Sequence, residues 1–221
     1  DVAKVASTFT RLCHGLATTA VFSVGMGGDV AGLAMAHHPS AFTYWVDVEG
    51  ATDLYDLWSS LSAVGGPCLP SGQCLPGANT YFAVVRSDLE TAAGGPPYEA
   101  KAGFDAMDAM TQLRSVSGLG LRGAAVVHAA ADGTVLVTEA AAMTALLHEL
   151  AVPTDLYAVG RGNGGPDQTL SGDVGVDLPL AGHEPDGATG DLVIRTGLSA
   201  LWGMVDKGGT KPSGRVVPVD G

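Results

Sequence analysis

The chain has 221 residues, 46% hydrophobic and 15% charged, enough apolar material for one sizeable core and too much for a disordered segment. Its 23 acidic and 11 basic side chains leave a net charge of -12, which excludes nucleic acid or an anionic membrane surface as a partner for want of a basic patch. No run reaches the roughly 18 to 20 apolar residues of a membrane span.

In chain order, Val2, Val5, Phe9, Leu12 and Leu16 recur at three- and four-residue steps and predict an amphipathic helix over about 2–17, with Cys13 buried on it. "TAVFSV" reads as a strand, followed by a glycine-rich turn and a small-sided helix over about 27–37, which Pro39 ends. "FTYWVDVEG" predicts a buried strand, with Asp47 and Glu49 near its end. Residues 65–103 read as an irregular, lid-like insertion around a possible short helix. "LRGAAVVHAA" is a further buried strand, "TEAAAMTALLHEL" a helix capped by Thr138, and "TDLYAVG" another strand. A glycine-rich stretch follows, then a helix over about 188–205 and a loose tail over 206–221. This alternation predicts an α/β protein with a mainly parallel sheet, one domain over 1–205.

Cys68 and Cys74 flank "LPSGQ" in a Gly/Pro-rich loop. The pair closes into a disulfide if the compartment is oxidising, and otherwise stands as two free loop thiols. No second ligand pair follows at zinc spacing, so no metal is expected. The chain opens on Asp1-Val2-Ala3-Lys4 without an initiator Met, which reads as a processed or excised start and, with the disulfide, as a secreted or extracytoplasmic protein.

The turn "VGMGGDVAG" raises two readings. Gly25-Met26-Gly27 is the first half of a dinucleotide-binding G-x-G-x-x-G, and Glu49 stands where such folds hold the ribose hydroxyls. Against it, β-branched Val30 occupies the third small position and is expected to push helix and strand apart. The other reading is the sharp strand-to-helix elbow of hydrolases, G-x-S-x-G, with Gly25 at the serine position. Downstream, Asp132 follows a strand and His183 precedes the last helix, giving the chain order nucleophile, acid, histidine.

The segments "VFSVGMGGDVAGLAMAHHP", "YWVDVEGATDL", "LRGAAVVHAAADGTVLV", "LAVPTDLYAV" and "LAGHEPDG" together resemble the α/β-hydrolase superfamily, in its branch of prolyl-oligopeptidase-like peptidases and esterases. The resemblance covers residues 21 to about 187. It implies a three-layer α/β/α fold, ester or amide hydrolysis, no cofactor, Asp132 as triad acid, His183 as base and the Met26 N–H as one oxyanion donor. Two departures stand out. Gly25 has no side chain to attack a carbonyl, and sliding the register to make Ser23 the nucleophile puts bulky Val21 in a tight turn. The family's strands before the elbow are also missing from this chain, so the fold is incomplete at its N-terminal side and a companion chain is expected to supply them. A serine-less pseudo-hydrolase using the Asp132–His183 pair, or a binding subunit, is the alternative reading, and a nucleotide-cofactor-binding domain the second. Glu49 is a candidate substrate contact. His128 is expected as a packed histidine, Asp29 as a partner of the positive helix end, and Trp45, Trp58 and Trp202 as core or subunit contacts.

Overall fold

The computed structural model describes residues 2–13, 18–63, 78–129, 132, 135–159, 169–170, 178–179, 188–206 and 212–219. In order these form α1 (Val2–Leu12), β1 (Ala20–Val24), α2 (Gly27–His37), β2 (Tyr44–Val48), α3 (Leu54–Ala63), α4 (Ala78–Ala93), α5 (Lys101–Met107) and α6 (Ala109–Arg114). They continue with β3 (Gly123–Ala129), α7 (Val137–Glu149), β4 (Thr154–Val159), β5 (Thr169–Leu170), β6 (Leu178–Pro179), α8 (Ala188–Val205) and β7 (Val216–Val219).

Five strands make one all-parallel sheet in the order β1-β2-β3-β4-β7, and β5 and β6 form a separate antiparallel pair. Every residue of β3 is buried, as its unbroken apolar run predicts for a strand covered on both faces. One face packs against α2, α6 and α7 through Met35, Leu113, Met143 and Leu147. The other packs against α8, with Val46, Val48, Val127 and Val159 meeting Val193, Ala200 and Met204. The result is three layers, α/β/α, as predicted. Among the described residues no helix is long and apolar enough to cross a membrane.

Both ends of the sheet carry information. Strand β1 is an edge, paired only with β2 among the described strands. At the other edge lies β7, drawn from the segment read as a loose tail. The Asp155 carboxylate holds it, accepting the N–H groups of Ser213, Gly214 and Arg215 at 2.8, 3.1 and 3.2 Å. Pro218 is admissible in β7 because an edge strand pairs on one side only.

Other corrections follow from packing. The stretch read as irregular contains the 16-residue α4 and the start of α5, whose Phe104 sits in a small core with Leu54, Leu57 and Leu89. Helix α1 turns Ala3 and Ala6 to the core, leaving Val5, Phe9 and Leu12 exposed, and Cys13 just beyond it is exposed rather than buried. Helix α7 starts two residues early, with Leu136 rather than Thr138 at its cap position and no side-chain cap. Trp45 is fully buried, Trp58 is half-buried and donates to Glu90 at 2.8 Å, and Trp202 is 71% exposed, outside the core. Cys68 and Cys74 lie outside the described residues.

Candidate functional site

The carboxyl ends of β1, β2 and β3 meet at one level of the sheet, since Val24 pairs with Val48 and Val48 with Val127. Two residues, Gly25 and Met26, turn the chain from β1 into α2. Gly25 takes a φ of +54°, which glycine adopts without the penalty a Cβ brings. Its N–H donates to Val48 O at 3.0 Å, and its carbonyl accepts from the N–H groups of Gly28 (2.9 Å) and Ala51 (3.0 Å). The turn is thereby fastened to β2 and to the loop after it. A Cβ added at Gly25 meets no atom within 4 Å, so the position faces open space. Met26 beside it is exposed.

Beneath the turn lies a buried polar group. Ser23 accepts a hydrogen bond from Trp45 Nε1 at 2.8 Å and donates to Asp47 Oδ1 at 2.7 Å. It is an internal link in β1, not a hydroxyl presented to a substrate. Burial pushes the Asp47 carboxyl up to about 7 against the opposing pull of the Ser23 bond. Near neutrality such a group is protonated about half the time, and a protonated carboxyl donates as well as accepts. A Cβ on Gly28 would stand 2.7 Å from Asp47 Oδ1 and 2.8 Å from Gly50 Cα, so both glycines are required by close approach.

The expected conflict at Val30 does not arise. Val30 is 53% exposed, on the outer side of α2, while Gly28, Ala31, Gly32 and Met35 face inward. Asp29 also points inward, accepting from the Ala109 N–H at 2.8 Å at the start of α6. Its burial, with a further contribution from nearby Asp108, raises it to about 7. Its observed role is to hold α6 against α2, beyond any effect on its own helix end.

Glu49, directly after β2, is buried with a φ of +50°, and its N–H donates to Val127 O at 2.8 Å. A non-glycine residue there costs about 1–3 kcal/mol and persists only where its surroundings hold it. Adjacent strands therefore end in two left-handed residues, Gly25 and Glu49. Glu139, in the first turn of α7, points Oε2 at the N–H groups of Thr52 and Asp53, each at 3.4 Å. Burial, reinforced by the charge of Asp53, raises Glu139 to about 8. Sequence reasoning placed Asp47 near a strand end without a role and passed over Glu139. The available signal for Glu139 was an acid in the first turn of a helix that follows a buried strand.

Asp132 lies past the end of β3, before α7, and is buried. Its Oδ1 accepts the Val135 N–H at 3.1 Å, and its Oδ2 lies 3.5 Å from His128 Nε2. His128 is fully buried on β3, packed as expected, with Nε2 2.8 Å from Val135 O. A carbonyl only accepts, so that nitrogen carries the proton. The predicted residues Gly25, Met26, Glu49 and Asp132 thus share one end of the sheet, with the strand of Asp132 two places from that of Gly25, or about 10 Å away. His183 lies outside the described residues.

No protein-family model matches the sequence, and no curated protein matches it. A solved structure shares its fold. A puromycin-hydrolysing peptidase of Mycobacterium tuberculosis superposes with a TM-score of 0.55 at 10% identity, over 97% of this chain and 26% of that one. An acetyl xylan esterase from a Thermoanaerobacterium species gives 0.47 at 13% identity, over 89% of this chain and 50% of the esterase. The chain therefore spans about a quarter of the peptidase and half of the esterase. The fold is α/β-hydrolase-like.

Proposed function

We propose that the chain carries the elbow of an ester- or amide-hydrolase site, with Gly25 at the nucleophile position, Asp132 as triad acid, His183 as base and the Met26 N–H as oxyanion donor. One observation carries this reading: a left-handed residue with open space at its Cβ, two residues deep between a parallel strand and a helix. That is the backbone an exposed nucleophile needs. With glycine there, no acyl-enzyme forms, and the site binds its ester or amide without turning it over until a hydroxyl is supplied. Ser23 is a poor substitute because its hydroxyl is buried and committed to Asp47.

Gly25→Ser tests it. The substitution is expected to cost about 1–3 kcal/mol, because serine takes a positive φ less readily than glycine. It should confer hydrolysis of an activated aryl ester, lost again in Gly25→Ser combined with His183→Ala. A folded Gly25→Ser protein that neither cleaves the ester nor is labelled by a phosphonate ester would remove Gly25 from the nucleophile position.

The proposal includes a companion segment. Strand β1 offers an unpaired edge among the described strands, and Val5, Phe9, Leu12, Val24 and Val30 are exposed on elements around it. An apolar edge of this kind pairs with another strand or aggregates. Sedimentation of the chain alone is expected to show self-association, and a soluble, cooperatively unfolding monomer would contradict the companion.

A further inference from the structure

Gly25 and Asp132 follow different strands, β1 and β3, and β2 lies between them. A nucleophile position and an acid work together only at a fixed separation, since a misplacement of about 1 Å can cost roughly 10²-fold in rate. The chain between the two is the loop after β2, residues 49–53. On one side this loop is fastened to the turn, through the Ala51 N–H and the Gly25 carbonyl at 3.0 Å. On the Asp132 side the fastening is a side chain.

Glu139 supplies it. Its Oε2 is shared by the N–H groups of Thr52 and Asp53, the two residues after Ala51, each at 3.4 Å. A carboxyl oxygen has two lone pairs and accepts both. Glu139 is buried in the first turn of α7, where its own N–H donates to Leu136 O at 2.8 Å. Leu136 directly follows Val135, whose N–H donates to Asp132 Oδ1 at 3.1 Å. Bonded groups thus run from Asp132 through the start of α7 to Glu139, then across to the loop and on to Gly25. Apolar packing runs alongside, since Ala51, Leu54 and Val135 belong to one small cluster.

We propose that Glu139 is a positioning residue, which holds the loop after β2, and through it the Gly25 turn, at a set distance from Asp132. The inference rests on the hydrolase reading of Gly25 and Asp132. Glu139 acts through the reach of its accepting oxygen and supplies no proton or charge to the reaction. Burial raises it to about 8, so at pH 7 it is mostly protonated, and the oxygen that takes two N–H groups is then the carbonyl one. The side chain that matters is therefore an acceptor of this length, whether acid or amide.

Two substitutions separate reach from acidity. Glu139→Gln keeps the carbonyl oxygen at the same reach and removes the acid, whereas Glu139→Asp keeps the acid and withdraws it by one methylene. Each is combined with Gly25→Ser and assayed on the activated aryl ester, with any companion chain retained. Glu139→Gln should leave kcat unchanged, and Glu139→Asp should lower kcat by about ten-fold or more with KM little altered. An undiminished kcat in Glu139→Asp, or an equal loss in Glu139→Gln, would overturn the proposal. Amide hydrogen exchange in the folded Gly25 chain gives a readout independent of catalysis. The Ala51, Thr52 and Asp53 amides should exchange about ten-fold faster in Glu139→Asp and at the parent rate in Glu139→Gln. Equal exchange in parent and Glu139→Asp would also overturn it, and Glu139→Gln decides alone if the shorter side chain prevents folding. A Gly25→Ser parent without activity would count against the hydrolase reading and leave exchange to decide whether Glu139 holds the loop.

Discussion

Gly50→Ala is expected to destabilise the protein by about 3 kcal/mol or more, at the upper end for overpacking a close-fitted interior. An added Cβ would fall on the carboxyl group of Asp47. That side chain is short and buried, hydrogen-bonded by Ser23 on one side and closely approached by the α2 backbone at Gly28 on another. To make room it must give up the Ser23 bond, which also disturbs Trp45. Gly203→Ala is the matched control. It meets nothing within 4 Å and lies inside α8, so it should stabilise by up to about 1 kcal/mol through helix propensity. Denaturant midpoints measured side by side decide the matter, and equal midpoints for the two variants would show that Asp47 is not packed as described.

Raising the pH from about 4 to about 8 is expected to weaken the folded state. Asp29 and Asp47 titrate at 3.8 when solvated and about 7 when folded, and Glu139 moves from 4.5 to about 8, in each case chiefly through burial. Below the solvated values both states hold these protons, and the groups' stabilising contribution is complete. Above them the unfolded chain ionises freely while the folded one must keep its protons, so the unfolded state gains. By pH 7 to 8 the contribution of all three groups is gone. At 1.36 kcal/mol per pH unit, the shift of Asp47 by about 3 units sets an upper bound of about 4 kcal/mol for that residue. Asp47→Asn keeps an acceptor for Ser23 and removes the charge. It should therefore raise the denaturant midpoint at pH 8 and change it little at pH 4. A variant with the same pH slope as the parent would show that Asp47 is not the group responsible.

Elements with a strong local signal were legible in the sequence. The limits of α2 follow from the glycines before it and Pro39 after it, and those of α8 from its apolar pattern. Strand β3 is an apolar run broken only by His128, and β4 ends in the apolar run Leu156–Val159. What escaped depends on distant partners. Strand β7 is four residues containing a proline, and it is a strand because Asp155, about 60 residues earlier, gathers the turn before it. Helix α6 is six residues long and starts under two carboxylates, Asp108 and Asp29, the second 80 residues away. At the site, Gly25 was legible because glycine is the residue that takes a positive φ cheaply. The same conformation at Glu49 was not, since nothing local in a glutamate announces it. Nor did alternation along β1 say that Ser23 would bond Asp47 within the sheet.

The strand order has a consequence for synthesis on the ribosome. Each strand of the main sheet pairs with the one that left the tunnel before it, so none has to insert between two already joined. The sheet grows by accretion at one margin, with α2, α6 and α7 laid down on their side as it lengthens. The opposite side waits for α8. Until that helix emerges, Val46, Val48, Val127 and Val159 form a bare hydrophobic face on a half-built domain. That interval is when a nascent chain of this kind is exposed to misassembly and to capture by chaperones.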